Sequence, residues 1–455
     1  MSIFSSLSRQ QKEAVGLLQI GTFLEYFDLM LYVHMAVLLN ELFFPKTDPH
    51  TAALLTALAF CSTYVLRPIG ALIFGYIGDN IGRKTTVIIT TMMMSISCVI
   101  MANLPTYAEI GITAAWFVTI CRMVQGMSSM GEIIGAQIYV TELTTPPTQY
   151  PTVALIGIAS ALGAVVSLGV ATLVTSMGFN WRVAFWIGAG IAVIGSVART
   201  RLRETPEFIE AKKFIKGIVE NTSHNGTKKT EEFLKGANKK FRGQVNKKTA
   251  ISSFLINLVW PLFFFFVYVY CPNILKNKFG FTSAQIIHNN FHVCIFQLLG
   301  FFMWMFLSYK INPLRILKWK VFFLFTLILL IPSFLIHNSS AFNLFLLQAI
   351  LIFLSPGALP AEPILLKNFP IFKRFTYATF IYAVSRALMY IVTSFSLIYL
   401  TEAFGPNGLL IIFIPTCIGY LYGILHFEKL ENQKQHQVHT PHPLSIKLDE
   451  LKMAG

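Results

Sequence analysis

An all-α membrane protein is predicted, with about twelve spanning helices in two six-helix halves. Three observations lead there. Of 455 residues, 55% are hydrophobic and 13% charged, with a mean hydropathy of +0.61; a soluble chain carries roughly a quarter of its residues as charge. The 41 phenylalanines are more apolar surface than a globular interior hides. Apolar stretches of about 20 residues or more recur along the chain, the length that crosses a ~30 Å hydrocarbon core.

In order, spans are expected at 15–43, 52–78, 86–104, 110–143, 152–176, 183–200, 250–272, 285–309, 317–336, 341–362, 376–402 and 408–427. Short polar or Pro/Gly-bearing loops separate them, such as Pro45 to His50 and Gly405 to Asn407. The first run follows Arg9 and Lys12 but carries Glu25 and Asp28 and no small-residue cleavage site, so it reads as a permanent span rather than a signal peptide. An even count puts both termini on one side. That side holds 29 of the 36 Lys and Arg residues. The opposite loops hold Lys46, Arg182, Lys276 and Lys278, and Arg67, Arg122 and Arg386 fall within spans. Positive charge marks cytoplasmic loops, so both termini are expected in the cytoplasm. The net charge of +15 then reflects topology and contact with anionic lipid, with no nucleic-acid partner.

Residues 1–200 and 250–428 form the two halves. The basic cytoplasmic loop 201–249 joins them, and its KKFIKG and TKKTEEFLKGANKKFRG stretches read as amphipathic surface helix. The tail 429–455 lacks heptads and reads as disordered and cytoplasmic. Cys61, Cys98, Cys121, Cys271, Cys294 and Cys417 sit in or beside apolar segments at no metal or redox spacing, and read as small core residues. No phosphate-binding loop, zinc spacing or nucleophile elbow is present. No enzyme activity, cofactor, metal or nucleotide is expected.

Charge inside spans is the most informative feature, because a charged residue at the bilayer centre costs about 2.5–3.5 kcal/mol on insertion scales. In GTFLEYFDLMLY, Gly21, Glu25, Asp28 and Tyr32 share one helix face. Two carboxylates one turn apart do not both ionise cheaply, so one is a candidate proton carrier unless neighbouring basic residues satisfy both. In the fourth span, Arg122, Gln125, Ser129 and Glu132 form a second polar stripe, with Gly126, Gly131 and Gly135 permitting close packing. Arg122 is placed to neutralise a first-span carboxylate and to clamp a substrate. In RPIGALIFGYIGDNIGRKT, Gly75 thins the helix, Asp79 sits at the membrane exit and Gly82 allows a tight turn before Arg83. Asp79 can accept hydrogen bonds from a neighbouring helix N-terminus, Arg83 can pair with acids across an interface, and both also suit a solvated turn. Arg386 has no acidic partner on its own helix and is a candidate substrate residue. His288, His292 and Trp260 read as core, and Gly157, Gly163 and Gly169 as packing notches.

These stretches resemble the major facilitator superfamily, and within it the metabolite:proton symporter group. The resemblance is strongest over about residues 15–210. It rests on Gly21, Glu25, Tyr26, Asp28 and Tyr32, then on Arg67, Pro68, Gly70, Gly75, Asp79, Gly82 and Arg83. It continues through Arg122, Gln125, Gly126, Ser128, Gly131, Glu132 and Gly135, and through Trp181, Arg182, Phe185, Glu204 and Pro206. The second half departs from the group. LSYKINPLR replaces an Asp-x-x-Gly-Arg-Arg turn, and SRALMY replaces paired glycines, while PAEPILLKNFPIFKR keeps Glu362, Pro370 and Arg374.

The resemblance implies two pseudo-symmetric bundles that rock about a central site in a bacterial cytoplasmic membrane. It implies proton-coupled import of a small polar metabolite. Glu25 and Asp28 would be proton-coupling residues. Tyr32, Arg122, Gln125, Glu132 and Arg386 would contact substrate, and Gly75, Asp79, Gly82 and Arg83 would form a conformational latch. A zwitterionic osmolyte such as proline or betaine is the leading substrate, with an organic acid such as α-ketoglutarate or citrate as the alternative. A non-transporting receptor on a carrier fold is the reading from another class.

Overall fold

The computed structural model describes residues 4–45, 64, 66–177, 180–224, 243–337, 340–354 and 356–439. Local sequence starts and stops its helices. Ser8 and Gln11 cap each other reciprocally before α1 (Arg9–Phe43). After it come α2 (Arg67–Asn80) and α3 (Arg83–Asn103). The Thr106–Glu109 capping box opens the short α4 (Tyr107–Ile110). The fourth span is α5 (Ile112–Met130), a π turn at Gly131–Gly135, and α6 (Ala136–Leu143). α7 (Gln149–Met177) and α8 (Arg182–Arg199) complete the first half, and α9 (Pro206–His224) follows.

The second half opens with α10 (Lys247–Phe265), whose cap is the Asn246 side chain. A second π turn, Phe266–Tyr270, leads into α11 (Cys271–Phe279), which Gly280 ends at φ 68°. Then come α12 (Ser283–Lys310), α13 (Pro313–His337), α14 (Ala341–Phe353), α15 (Glu362–Lys367), α16 (Ile371–Phe404) and α17 (Leu410–His439). Among the described residues, eight helical segments are long and apolar enough to cross a membrane, and shorter apolar helices lie between them. The first part of the expected second span, Cys61, Lys46 and most of TKKTEEFLKGANKKFRG lie outside the described residues.

Helix pairing carries the pseudo-symmetry. Across the halves, α2 packs on α16 and α7 on α12. In span numbers these are two with eleven and five with eight, and adding six to two and five turns one pair into the other. Within the halves, α1 packs on α7, α3 on α8, and α10 on α16 and α17. Gly75 and Gly163 make two of these approaches possible. A Cβ on Gly75 would stand 2.6 Å from the Thr376 backbone, and one on Gly163 would overlap the Phe23 carbonyl.

Span ten departs from the single helix expected over 341–362. It breaks between α14 and α15, and its freed carbonyls are satisfied by side chains. Trp304 donates to Phe353 O at 3.2 Å, Tyr420 to Gly357 O at 2.7 Å and Lys320 to Leu359 O at 2.8 Å. Irregular backbone at membrane depth survives only with such partners. Lys320 is buried in α13, with its ammonium over the Trp304 ring, although charge counting places it in a cytoplasmic loop.

The tail also differs from expectation, because α17 continues to His439 instead of ending near 428. Lys318 pairs with Glu428 at 2.6 Å and Asn368 reaches Glu431, which tie the extension to the bundle. Residues 440–455 lie outside the described residues. The linker begins as the amphipathic helix α9, with Phe208 and Ala211 buried and Lys212 and Lys213 exposed.

Candidate functional site

Three groups of polar side chains stand out, the second and third of them at the junction of the halves. The first is on α1. Asp28 Oδ2 accepts from Arg122 Nη1 at 2.7 Å, and Asp28 Oδ1 accepts from Gln125 Nε2 at 3.1 Å. Arg122 also donates to Gln125 Oε1 at 2.9 Å, and its guanidinium covers the Tyr32 ring at 4.1 Å. All four residues are buried. One turn away, Glu25 has a different arginine, Arg67 Nη2 at 3.6 Å, and neither of its oxygens accepts a hydrogen bond. The two carboxylates therefore share a helix face but not a counter-charge. Asp28 is held by Arg122, Gln125 and the Cys98 thiol, and Glu25 is buried with a loose partner.

The second group is a cavity between the halves, with about 610 Å³ of unfilled space counting its open mouth. The first half contributes Thr22, Tyr26 and Gln137. The second contributes Asn257, Trp260, Glu362 and Arg386. Two of the departures from α-helix meet here. The π turn of span four brings in Ile133, and the break in span ten brings in Pro356 to Leu359. Arg386 thus lies where a substrate residue is expected. Tyr32, Arg122 and Gln125 do not line the cavity and belong to the Asp28 group.

Glu132 takes a third position. It is fully buried beside Arg199, with Thr90 and Thr91 donating to its Oε1 at 3.1 and 2.6 Å. Arg199 also donates to Leu17 O at 3.0 Å and Leu18 O at 2.7 Å. This ion pair ties α1, α3, the π turn and α8 together inside the first half.

The third group joins the two halves at one end of the bundle. Asp79 Oδ1 and Oδ2 accept from the backbone N–H groups of Phe375 and Thr376, each at 2.9 Å, at the N-terminus of α16. Arg83 donates to Glu142 at 3.0 Å and across the junction to Ile371 O at 2.6 Å. Arg374 returns from the second half to Glu142 at 2.9 Å and to Glu207 of α9 at 3.0 Å. Phe208 lies against the Arg83 guanidinium at 4.5 Å. Gly82 has φ 156° and ψ 158°, a conformation essentially confined to glycine, and this brings Glu204 onto the Arg83 N–H at 3.0 Å. Asp79, Gly75, Gly82 and Arg83 are thus assembled at one buried junction rather than in a solvated turn.

Several members carry little sequence signal. Arg199 ends an apolar helix and reads as a loop charge. Glu362 reads as part of a span-ten exit motif that echoes Glu142 at the end of span four, and Trp260 reads as core. Their partners are 59 to 232 positions away along the chain.

A family model described as Major Facilitator Superfamily matches residues 18–369. The proline/betaine transporter of Salmonella typhimurium is 33% identical over 204 residues, which are 43% of this chain and 41% of that protein. The inner membrane metabolite transport protein YhjE of Escherichia coli is 36% identical over 228 residues, 47% of this chain and 51% of that protein. The matched stretches thus span about half or less of these relatives. The solved proton:xylose symporter XylE superposes with a TM-score of 0.72 at 15% identity, covering 92% of this chain and 95% of that one. The human organic anion transporter MFSD10 gives a TM-score of 0.66 at 15% identity, covering 92% of this chain and 99% of that one. With a matching family model over most of its length and the same twelve-helix fold, this chain belongs to the major facilitator superfamily.

Proposed function

We propose that this protein is a proton-coupled secondary transporter that imports a small polar metabolite by alternating access. The observation that carries the reading is the buried Asp28–Arg122 pair, at 2.7 Å, in a molecule whose two halves also share a polar cavity. While ionised, Asp28 fixes Arg122 and Gln125. A proton arriving at Asp28 removes the charge that holds Arg122, and the freed guanidinium lets α1 and α5 adjust. Glu25, loosely paired with Arg67, is the second proton-coupling candidate. Tyr32 packs under Arg122, while Gln125 and Glu132 support the polar stripe. Gly75, Asp79, Gly82 and Arg83 act as the latch, closed here on the cytoplasmic side by Arg374 and the α16 N-terminus.

Rocking the halves apart at that end breaks these contacts together, and a substrate or proton that favours the open state drives the change. The basic loops support a bacterial inner-membrane protein with both termini on the cytoplasmic side and Lys212 and Lys213 toward anionic headgroups. The relatives' names favour a zwitterionic osmolyte such as proline or betaine, with α-ketoglutarate or citrate as the competing cargo.

The test is uptake of labelled proline, betaine and α-ketoglutarate into proteoliposomes under an inward proton gradient. Uptake that collapses with a protonophore and in Asp28→Asn supports the reading. No gradient-dependent flux of any of these by folded protein counts against it and favours a carrier-like receptor, for which ligand binding is the next measurement.

A further inference from the structure

Glu362 and Arg386 face the central cavity from the second half, Glu362 at the start of α15 and Arg386 within α16. Each is 8% exposed, and neither forms an ion pair among the described residues. Arg386 Nη1 is buried with no hydrogen-bond partner, while the face of its guanidinium lies 3.3 Å from the Tyr382 ring centroid. Leaving a buried charge without a partner is costly, and inside a membrane protein such a charge marks a ligand path. Two opposite charges kept apart on one cavity wall are both compensated when a ligand brings both signs.

The rest of the wall fits the cationic end of such a ligand. Trp260 and Phe301 line the same cavity with ring centroids 6.2 Å apart. An alkylated ammonium has few or no N–H donors and is well matched to aromatic faces. A carboxylate is well matched to the planar fork of an arginine, and Arg386 Nη1 has no hydrogen-bond partner here.

We infer that Glu362 and Arg386 are the two poles of a cradle for a zwitterion. The carboxylate sits on Arg386 Nη1, and a secondary or quaternary ammonium sits between Glu362 and the Trp260–Phe301 wall. This deepens the transporter reading and rests on it. It also separates the competing cargoes. A dicarboxylate brings a second negative charge against Glu362, and a lone cation has nothing to offer Arg386.

Equilibrium binding to the purified full chain in nanodiscs, with no gradient, tests the cradle. Isothermal titration calorimetry would compare glycine betaine, proline, α-ketoglutarate, acetate and tetramethylammonium. A zwitterion is expected to bind at least about tenfold more tightly than α-ketoglutarate, acetate or tetramethylammonium. Arg386→Gln and Glu362→Gln should each weaken zwitterion binding about tenfold to a hundredfold, the range for a lost charge-assisted contact. Glu362→Gln should also narrow the margin between zwitterion and acetate. Glu362→Asp keeps the charge and should retain more affinity than Glu362→Gln, which separates loss of the pole from loss of fold. Three results would overturn the cradle: α-ketoglutarate binding as tightly as the zwitterions, no zwitterion bound by folded protein, or zwitterion affinity within twofold of wild type in Glu362→Gln. Zwitterion binding with the expected variant responses but no flux in proteoliposomes would sustain the cradle and sink the transporter reading.

Discussion

Asp79 and Thr376 belong to opposite halves of the molecule, and they meet without an intervening side chain. The Thr376 N–H donates to Asp79 Oδ2 at 2.9 Å, and one turn earlier Gly75 has no Cβ to push the Thr376 backbone away. A carboxylate at a helix N-terminus is favoured by unpaired N–H groups and by the helix dipole together. The contact exists only while these ends of the two halves are together, so its energy is a direct bias on conformation.

Removing that bias should part the two halves at this end. Asp79→Ala is expected to weaken closure by about 1.5–3 kcal/mol, the net worth of a hydrogen bond to a charged group. Spin labels at Asn80 and Lys373 would report it, through a larger long-distance population in double electron–electron resonance. An unchanged distance distribution would rule the bias out.

Neutralising Asp28 should separate coupling from binding. In Asp28→Asn, proton-driven accumulation is expected to vanish while substrate exchange across the proteoliposome membrane persists. Accumulation at wild-type levels would remove Asp28 from the coupling role.

Gly21 is expected to be a stability position although it lies beside the proposed proton sites. A Cβ there would overlap Glu132 Oε2 and the Arg199 guanidinium. Gly21→Val therefore forces the buried ion pair apart, and breaking such a pair costs about 3–5 kcal/mol. A thermal melt in detergent should fall sharply, and Arg199→Gln should fall by a comparable amount. If Gly21→Val melts at the wild-type temperature, the close approach of α1 to this pair is wrong.

Lys320→Met should destabilise by about 1–3 kcal/mol, because the Leu359 carbonyl loses its 2.8 Å donor in the broken part of span ten. The loss should appear as a lower melting temperature. Because that segment walls the cavity, zwitterion affinity should drop with it, and a variant with unchanged melting and binding would show that the carbonyl does not depend on this ammonium.

The sequence by itself determines the helical membrane architecture. Runs such as 152–176 and 317–336 are apolar for long enough that helix is the only way to satisfy their backbone in lipid. The polar stripe on α1 is equally readable, because Gly21, Glu25, Asp28 and Tyr32 are spaced by helix geometry. Tertiary structure alone decides which arginine meets which carboxylate. Arg122 reaches Asp28 and Arg67 reaches Glu25 from different helices. Glu132 turns from the cavity to Arg199, a residue that charge counting assigns to a loop. The break in span ten is also hidden in the chain, since its carbonyls are satisfied by Trp304, Lys320 and Tyr420 from other spans. Local propensity acts over a few residues, whereas a buried charge is tolerated only where packing brings a partner or a ligand to it, and neither is written in the order of the chain.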